Sequence, residues 1–400
     1  MAIPRLYSAM LADHLRRHRQ MAFVTGPRQV GKTTTCRSVV PGIAYLDWDD
    51  SDDRRVILAG AAAVAQRLGL ERLRRERPTV VFDELHKYGH WKSFLKGFFD
   101  KHAEDAHIIV TGSSRLDAYR RGGDSLMGRY LSYRMHPLSV GELARHTLPN
   151  TEIAAPARVS DATWNALWTH GGYPEPFTKR DRRFSLRWRD LRMAQLVRED
   201  IRDLTRIQEL SQIDVLAQIL ASRPASTLKF SSLASEIRVS VDTIRRWVET
   251  LCALHFGFLV RPWFKNVAKA LRKEPKWYLS DWSGVADPGQ RAETFVACHL
   301  QKAVHAWSDL GLGRYELRYL RDKNQREVDF LVVRDARPWF LVEVKATETA
   351  LSPPLAHFQA QVAAKHAFQV VTELGYVGAS CFDRSDPCVV PARTLLSQLP

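Results

Sequence analysis

Cysteine is scarce in this chain, with five residues in 400: Cys36, Cys252, Cys298, Cys381 and Cys388. No two of them form a Cys-x-x-Cys pair, so neither a zinc ribbon nor a disulfide framework is supported. Long apolar runs are missing too, and none approaches the ~20 residues needed to span a bilayer. The opening stretch MAIPRLYSAMLADHLRRHRQ is amphipathic and lacks the continuous apolar segment of a signal peptide. These absences lead to the expectation of a cytoplasmic protein with no membrane partner. Acidic charge is also in deficit: 44 Asp and Glu against 59 Lys and Arg leave a formal net charge of +15. A chain this basic attracts polyanions, and nucleic acid is the commonest polyanion in a cytoplasm. The excess is spread thinly, although residues 261–276 (RPWFKNVAKALRKEPK) hold six basic residues and one acid.

What remains is ample material for burial. Hydrophobic residues make up 45% of the 400 positions, which suits two or three globular domains rather than one core. In the first third, short apolar β-prone segments alternate with helical stretches, at 21–25, 43–46, 79–82, 107–111 and 131–135. Nearly continuous hydrophobic strands separated by helices predict an α/β domain built on a parallel sheet covered on both faces.

The octapeptide GPRQVGKT, Gly26 to Thr33, falls directly after the first of these strands and before a helical stretch. Gly26 and Gly31 permit backbone angles that let successive N–H groups of the loop, which runs through Pro27, Arg28, Gln29 and Val30, converge on phosphates, with the helix continuing through Thr34. Lys32 supplies a cation for the β- and γ-phosphates and Thr33 a hydroxyl for Mg²⁺, so the expected cofactors are ATP and magnesium. Downstream, TVVFDE at 79–84 is an apolar strand ending in two acids. Phosphoryl transfer needs one carboxylate near the metal, Asp83, and one beside the attacking water, Glu84. The strand at 107–111 then runs into Gly112, Ser113 and Ser114, where a hydroxyl can sense the terminal phosphate or serve as an ordinary turn. Arg115 and Arg129 are candidates for a transition-state cation, from the same chain or a neighbouring subunit.

Residues 144–162 turn to Pro, Ala and polar residues, as an inter-domain connection would. A densely charged helical stretch follows at 179–206. Residues 226–260 then predict two short helices around a turn at Val239-Ser240, with Asp242 capping the second, followed by β-prone FGFLV. This pattern looks like a winged helix-turn-helix whose Thr243, Arg245 and Arg246 face outward, suited to a major groove or to a protein partner. Near the end, Asp329 opens the strand DFLVV, and Glu343 and Lys345 sit two apart on WFLVEVKA, hence on one face. Asp329 and Glu343 on adjacent strands, with Glu293 on a preceding helix, form a second candidate metal site. Lys345 beside them gives the Asp…Glu-x-Lys arrangement of many nucleases. Two amphipathic strands with exposed charges would give the same text.

Taken in order, GPRQVGKT, YLDWDD, VVFDELHKYGHWKSFLKGFFD, IIVTGSS through SLMGRYLSYRMHPLSVGEL, GGYPEPF, REDIRDLTRI, WFKNVAKALRKEPKWYLSDWSG and EVDFLV…FLVEVKA cover nearly the whole chain. The sequence resembles AAA-type ATPases of bacteria and archaea that carry a C-terminal domain of unknown function numbered 4143. The resemblance implies an AAA-type P-loop domain over 1–145, a helical connector over 146–222, a winged helix-turn-helix over 223–262 and a nuclease-like α/β domain over 263–400. It implies that Lys32, Thr33, Asp83 and Glu84 form the nucleotide site, that Ser113 or Ser114 stands at the sensor strand, and that Arg129 acts as a finger or sensor. Asp329, Glu343 and Lys345 match its nuclease-like motif. His86 departs from the glutamine common at that place in the family.

Three functions fit this text. The first is a Mg²⁺-dependent ATPase, acting as a homo-oligomer, that binds DNA and couples hydrolysis to remodelling or processing of duplex or branched DNA. The second is an ATP-gated, metal-dependent nuclease. The third is a regulatory NTPase with a protein partner.

Overall fold

The computed structural model describes residues 3–112, 126–148, 151–196, 201, 210–264 and 274–400. The chain divides into two compact units, the first being Met1–His136 with His146–Leu148, and the second Pro137–Arg145 with Pro149–Pro400.

The first unit is organised by five strands: β1 (Met21–Thr25), β2 (Ala44–Asp47), β3 (Thr79–Asp83), β4 (His107–Thr111) and β5 (Tyr130–Arg134). They form one sheet in the order β2-β3-β4-β1-β5, and every pairing is parallel. Each residue of β1 and β3 is buried, as expected for central strands with helices on both faces. Phe82, at the heart of β3, meets Phe94 and Phe98 of the helix Trp91–His102 edge to face. The order places the C-terminal ends of β1, β3 and β4 side by side, the region where open α/β sheets collect their functional loops.

The second unit contains an eight-stranded mixed sheet in the order β13-β12-β11-β10-β9-β7-β8-β6. Its strands are β6 (Ser226–Thr227), β7 (Gly257–Pro262), β8 (Lys276–Leu279), β9 (Tyr315–Arg321), β10 (Glu327–Arg334), β11 (Arg337–Lys345), β12 (His366–Val371) and β13 (Cys388–Pro391). The 22-residue helix Pro288–Asp309, capped by the Asp287 side chain on Gln290 N–H, buries Phe295, Leu300 and Trp307. Ahead of the sheet come the helices Phe230–Ile237 and Val241–Ala253, with Ile244, Trp247, Val248 and Leu251 forming the buried stripe of the second. The residue that caps this second helix is Ser240, whose hydroxyl accepts from Thr243 N–H, rather than Asp242. Asp242 lies two places too far inside for that geometry and instead adds negative charge to the first turn. The antiparallel pair β7–β8 follows these helices, and β7 joins the larger sheet through a parallel contact with β9.

Candidate functional site

The loop between β1 and the helix Lys32–Arg37 carries three residues with positive φ: Gly26 at 147°, Gln29 at 61° and Gly31 at 99°. Gly26 has no alternative. A Cβ there would lie 2.3 Å from the carbonyl oxygen of Met135, so only glycine lets the loop pass this close to the end of β5. Lys32 is buried, and its ammonium donates to the carbonyls of Gly26 at 2.9 Å and Pro27 at 2.7 Å, closing the loop on itself. Burial pulls its pKa down to about 8, with Glu84 and Asp83 opposing that shift. Arg28, Gln29, Thr33 and Thr34 are exposed, while Val30 is buried beneath the loop.

Asp83 sits at the tip of β3, 5% exposed, and is held by four donors. Thr33 Oγ1 donates to its Oδ2 at 2.9 Å, and the Tyr45 hydroxyl donates to the same oxygen. Thr111 Oγ1 and the Glu84 amide donate to Oδ1, the latter at 3.0 Å. The parallel register explains the company: Asp47 lies opposite Asp83 on one side and Thr111 on the other. Glu84 takes a left-handed φ of 52°, which turns it out of the strand. Burial raises its pKa, against the pull of Lys87 and Lys32. Its Oε2 lies 3.5 Å from Lys87 Nζ and 3.6 Å from Nε2 of the buried His86.

Gly26 to Thr34, Asp83 and Glu84 are thus brought together. Their chemistry suits a triphosphate with a hard divalent cation: turned backbone amides, one lysine, one hydroxyl and one carboxylate beside it. Tyr45 and Thr111 join this set although sequence reading passed over both. Only the alignment of strand tips would have revealed them. Arg129 lies at the start of β5, where its guanidinium grips Asp100 with Nε–Oδ1 at 2.7 Å and Nη2–Oδ2 at 3.0 Å. Ser113, Ser114 and Arg115 lie outside the described residues.

In the second unit, Asp329, Glu343, Lys345 and Glu293 also converge, but the arrangement differs from a metal site. Asp329 Oδ2 accepts from the Val344 amide at 2.9 Å, and Lys345 Nζ reaches Glu343 Oε1 at 3.1 Å. Into the acids projects a residue sequence reading passed over, Lys276 of β8. Its ammonium lies 3.0 Å from Glu293 Oε1, 2.5 Å from Glu327 Oε1 and 3.2 Å from Asp329 Oδ1. Burial pulls Lys276 down, but Asp329, Glu293 and Glu327 outweigh it and hold the ammonium well above the usual lysine range. Burial, reinforced by the Asp329 charge, pushes Glu293 and Glu343 up to about 7. Among the described residues, no three His, Cys, Asp or Glu side chains are grouped as a metal ion would require. The divalent cation expected at Glu293, Asp329 and Glu343 therefore does not fit this cluster, because an internal cation already answers its charge.

Residues 18–144 match the AAA domain family, residues 161–286 a domain of unknown function numbered 8612, and residues 288–381 the domain of unknown function 4143. Two uncharacterized proteins, from Mycobacterium bovis and Mycobacterium tuberculosis, are each 25% identical over 351 residues, covering 84% of this chain and 74% of theirs. A Walker-type ATPase of Pyrococcus abyssi is similar in structure at 15% identity, covering 68% of this chain and 92% of that one, with a TM-score of 0.41. No helix among the described residues is long and apolar enough to cross a membrane. The phosphate-type loop and the parallel five-stranded sheet thus fall within the segment that matches the AAA domain family, and the segment matching the domain of unknown function 4143 follows in the second unit.

Proposed function

We propose that the protein is a Mg²⁺-dependent ATPase that binds DNA and uses hydrolysis to remodel or process duplex or branched DNA as a homo-oligomer. The observation that carries the reading is the meeting of Lys32, Thr33, Asp83 and Glu84 at the tips of β1 and β3. Mg²⁺-ATP would supply the phosphoanhydride to be broken and the charge the loop neutralises. Lys32 and the turned amides would bind its phosphate oxygens, and Thr33 and Asp83 would hold the metal. Glu84, turned aside by its left-handed φ and raised in pKa by burial, takes the proton of the attacking water. Support for DNA as partner comes from the net charge of +15 and from the helix Val241–Ala253, where Arg245 and Arg246 are exposed. In this reading residues 1–145 turn over nucleotide, 146–222 connect, and 223–262 and 263–400 hold the polyanion.

The test is steady-state ATP turnover by the wild type and by Glu84→Gln, with and without single-stranded, duplex and four-way DNA. The reading expects DNA to stimulate the wild type, with DNA binding that weakens steeply as salt rises. It expects Glu84→Gln to bind ATP and turn it over at least a hundredfold more slowly. Normal turnover in Glu84→Gln refutes the site assignment. Indifference of the wild type to every DNA favours a regulatory NTPase with a protein partner.

A further inference from the structure

The carboxylate cluster at the junction of β8, β10, β11 and the helix Pro288–Asp309 holds four acids and two lysines within one unit. Lys345 lies towards the outside, its side chain 31% exposed, and serves Glu343. Lys276 is 5% exposed and serves the other three acids. An ammonium has three protons and no lone pair. With Glu293, Glu327 and Asp329 each within 3.2 Å, all three protons are engaged, and the fourth tetrahedral direction is the side chain's own Cε. A divalent cation with oxygen ligands needs the same carboxylate oxygens at shorter range, and it repels an ammonium placed there.

Nor is Lys276 a mobile surface lysine that can step aside. Its backbone is paired on both sides, with Val260 of β7 and with Thr227 of β6. Tyr278, two residues on, donates its hydroxyl to Glu293 Oε1 at 2.6 Å and fixes that carboxylate from the same strand. Pairing on both edges and burial of the stem leave the ammonium tethered among the acids as a permanent counter-ion.

We propose that Lys276 is the resident cation of the Glu293–Glu327–Asp329–Glu343 cluster, occupying by covalent tether the position a divalent metal would take, so that this site binds no Mg²⁺ or Mn²⁺ and cuts no phosphodiester. The inference stands on the second unit alone and is independent of the nucleotide chemistry at Lys32. It assigns to Lys276 a role that neither the strand pattern nor the domain matches assign. It also predicts that the metal site is latent: removing the tethered cation leaves carboxylates that a free divalent ion can neutralise.

Mn²⁺ titration of the full-length protein without nucleotide tests this, with bound Mn²⁺ read by electron paramagnetic resonance. Wild type and Asp329→Asn should bind the same number of Mn²⁺ ions, and neither should cleave labelled linear, flapped or four-way DNA in Mn²⁺. Lys276→Gln should take up one further Mn²⁺, and its melting temperature should rise with Mn²⁺ where that of the wild type does not. Each melting comparison is made within one variant, so a lowered starting stability does not confuse it. A Mn²⁺ ion bound by the wild type and lost in Asp329→Asn would overturn the inference, as would DNA cleavage abolished by that substitution. A Lys276→Gln protein indifferent to Mn²⁺ would overturn it too. The wild-type and Asp329→Asn pair decides the matter alone if Lys276→Gln does not fold.

Discussion

Replacing Lys276 with methionine keeps the length of the stem and deletes the charge. The three acids left behind have side chains only 18% (Glu293), 26% (Glu327) and 14% (Asp329) exposed. Removing one partner of a buried ion pair costs about 3–5 kcal/mol, mostly because the other charge stays buried without an answer. The lower end applies here, since Glu327 is a quarter exposed and also has Arg321 at 3.7 Å. The cost should depend on pH in a definite direction. Glu293 already has its pKa raised to about 7, and losing the ammonium raises it further. A carboxyl raised in the folded state stabilises most below its unfolded pKa of 4.5 and loses that contribution as pH climbs through the folded value. For each proton taken up, the penalty changes by about 1.4 kcal/mol per pH unit. Lys276→Met should therefore cost about 3–4 kcal/mol at pH 8 and about 1 kcal/mol at pH 5. The assay is equilibrium urea unfolding of the full chain at both pH values, fitted to the transition of the larger unit. Adding Glu293→Gln and Asp329→Asn to the variant should recover most of the loss at pH 8, because no buried anion is then left unanswered. A cost below about 1 kcal/mol at pH 8, or one that does not shrink on acidification, would refute the reasoning.

Two further outcomes follow from local geometry. Gly26→Ala should weaken ATP binding at least tenfold by calorimetry, because its Cβ would stand 2.3 Å from Met135 O at a φ of 147°, and the loop must move; unchanged affinity would contradict the loop's geometry. His299 is buried, accepts from Val140 N–H at 3.1 Å and donates to Phe295 O at 2.7 Å, and burial pulls its pKa to about 3. Its stabilising contribution is present above the unfolded value of 6.5 and is lost as pH falls towards 3, at about 1.4 kcal/mol per unit. His299→Gln should flatten the acid limb of the larger unit's stability curve by that slope, and an unchanged limb would sink the assignment.

The first unit was largely legible in the sequence because parallel, doubly covered strands are written as continuous apolar runs. All five expected strands lie within one residue of β1 to β5. Lys32, Thr33, Asp83 and Glu84 were legible because each stands at a strand end or a fixed spacing from one. Tyr45 and Thr111 were not, since their meeting with Asp83 depends on which strands lie side by side. The cap of the helix Val241–Ala253 was misread by two residues because Ser240 and Asp242 are both good capping residues, and only the backbone at Ser240, with ψ of 153°, decides between them. Lys276 was the hardest to see. Nothing in KWYL shows that β8 is paired on both sides, or that the lysine side chain is turned onto acids 17, 51 and 53 positions away.

The account as a whole turns on a nucleotide lodged against the loop Gly26–Thr34. Calorimetric titration of Mg²⁺-ATP into the wild type and into Lys32→Ala tests it most directly. Saturable one-to-one binding by the wild type and at least a hundredfold loss in Lys32→Ala are expected, with the folded state of the variant verified by unchanged melting of the first unit. Equal affinity in the two proteins, or no binding by either, would contradict it.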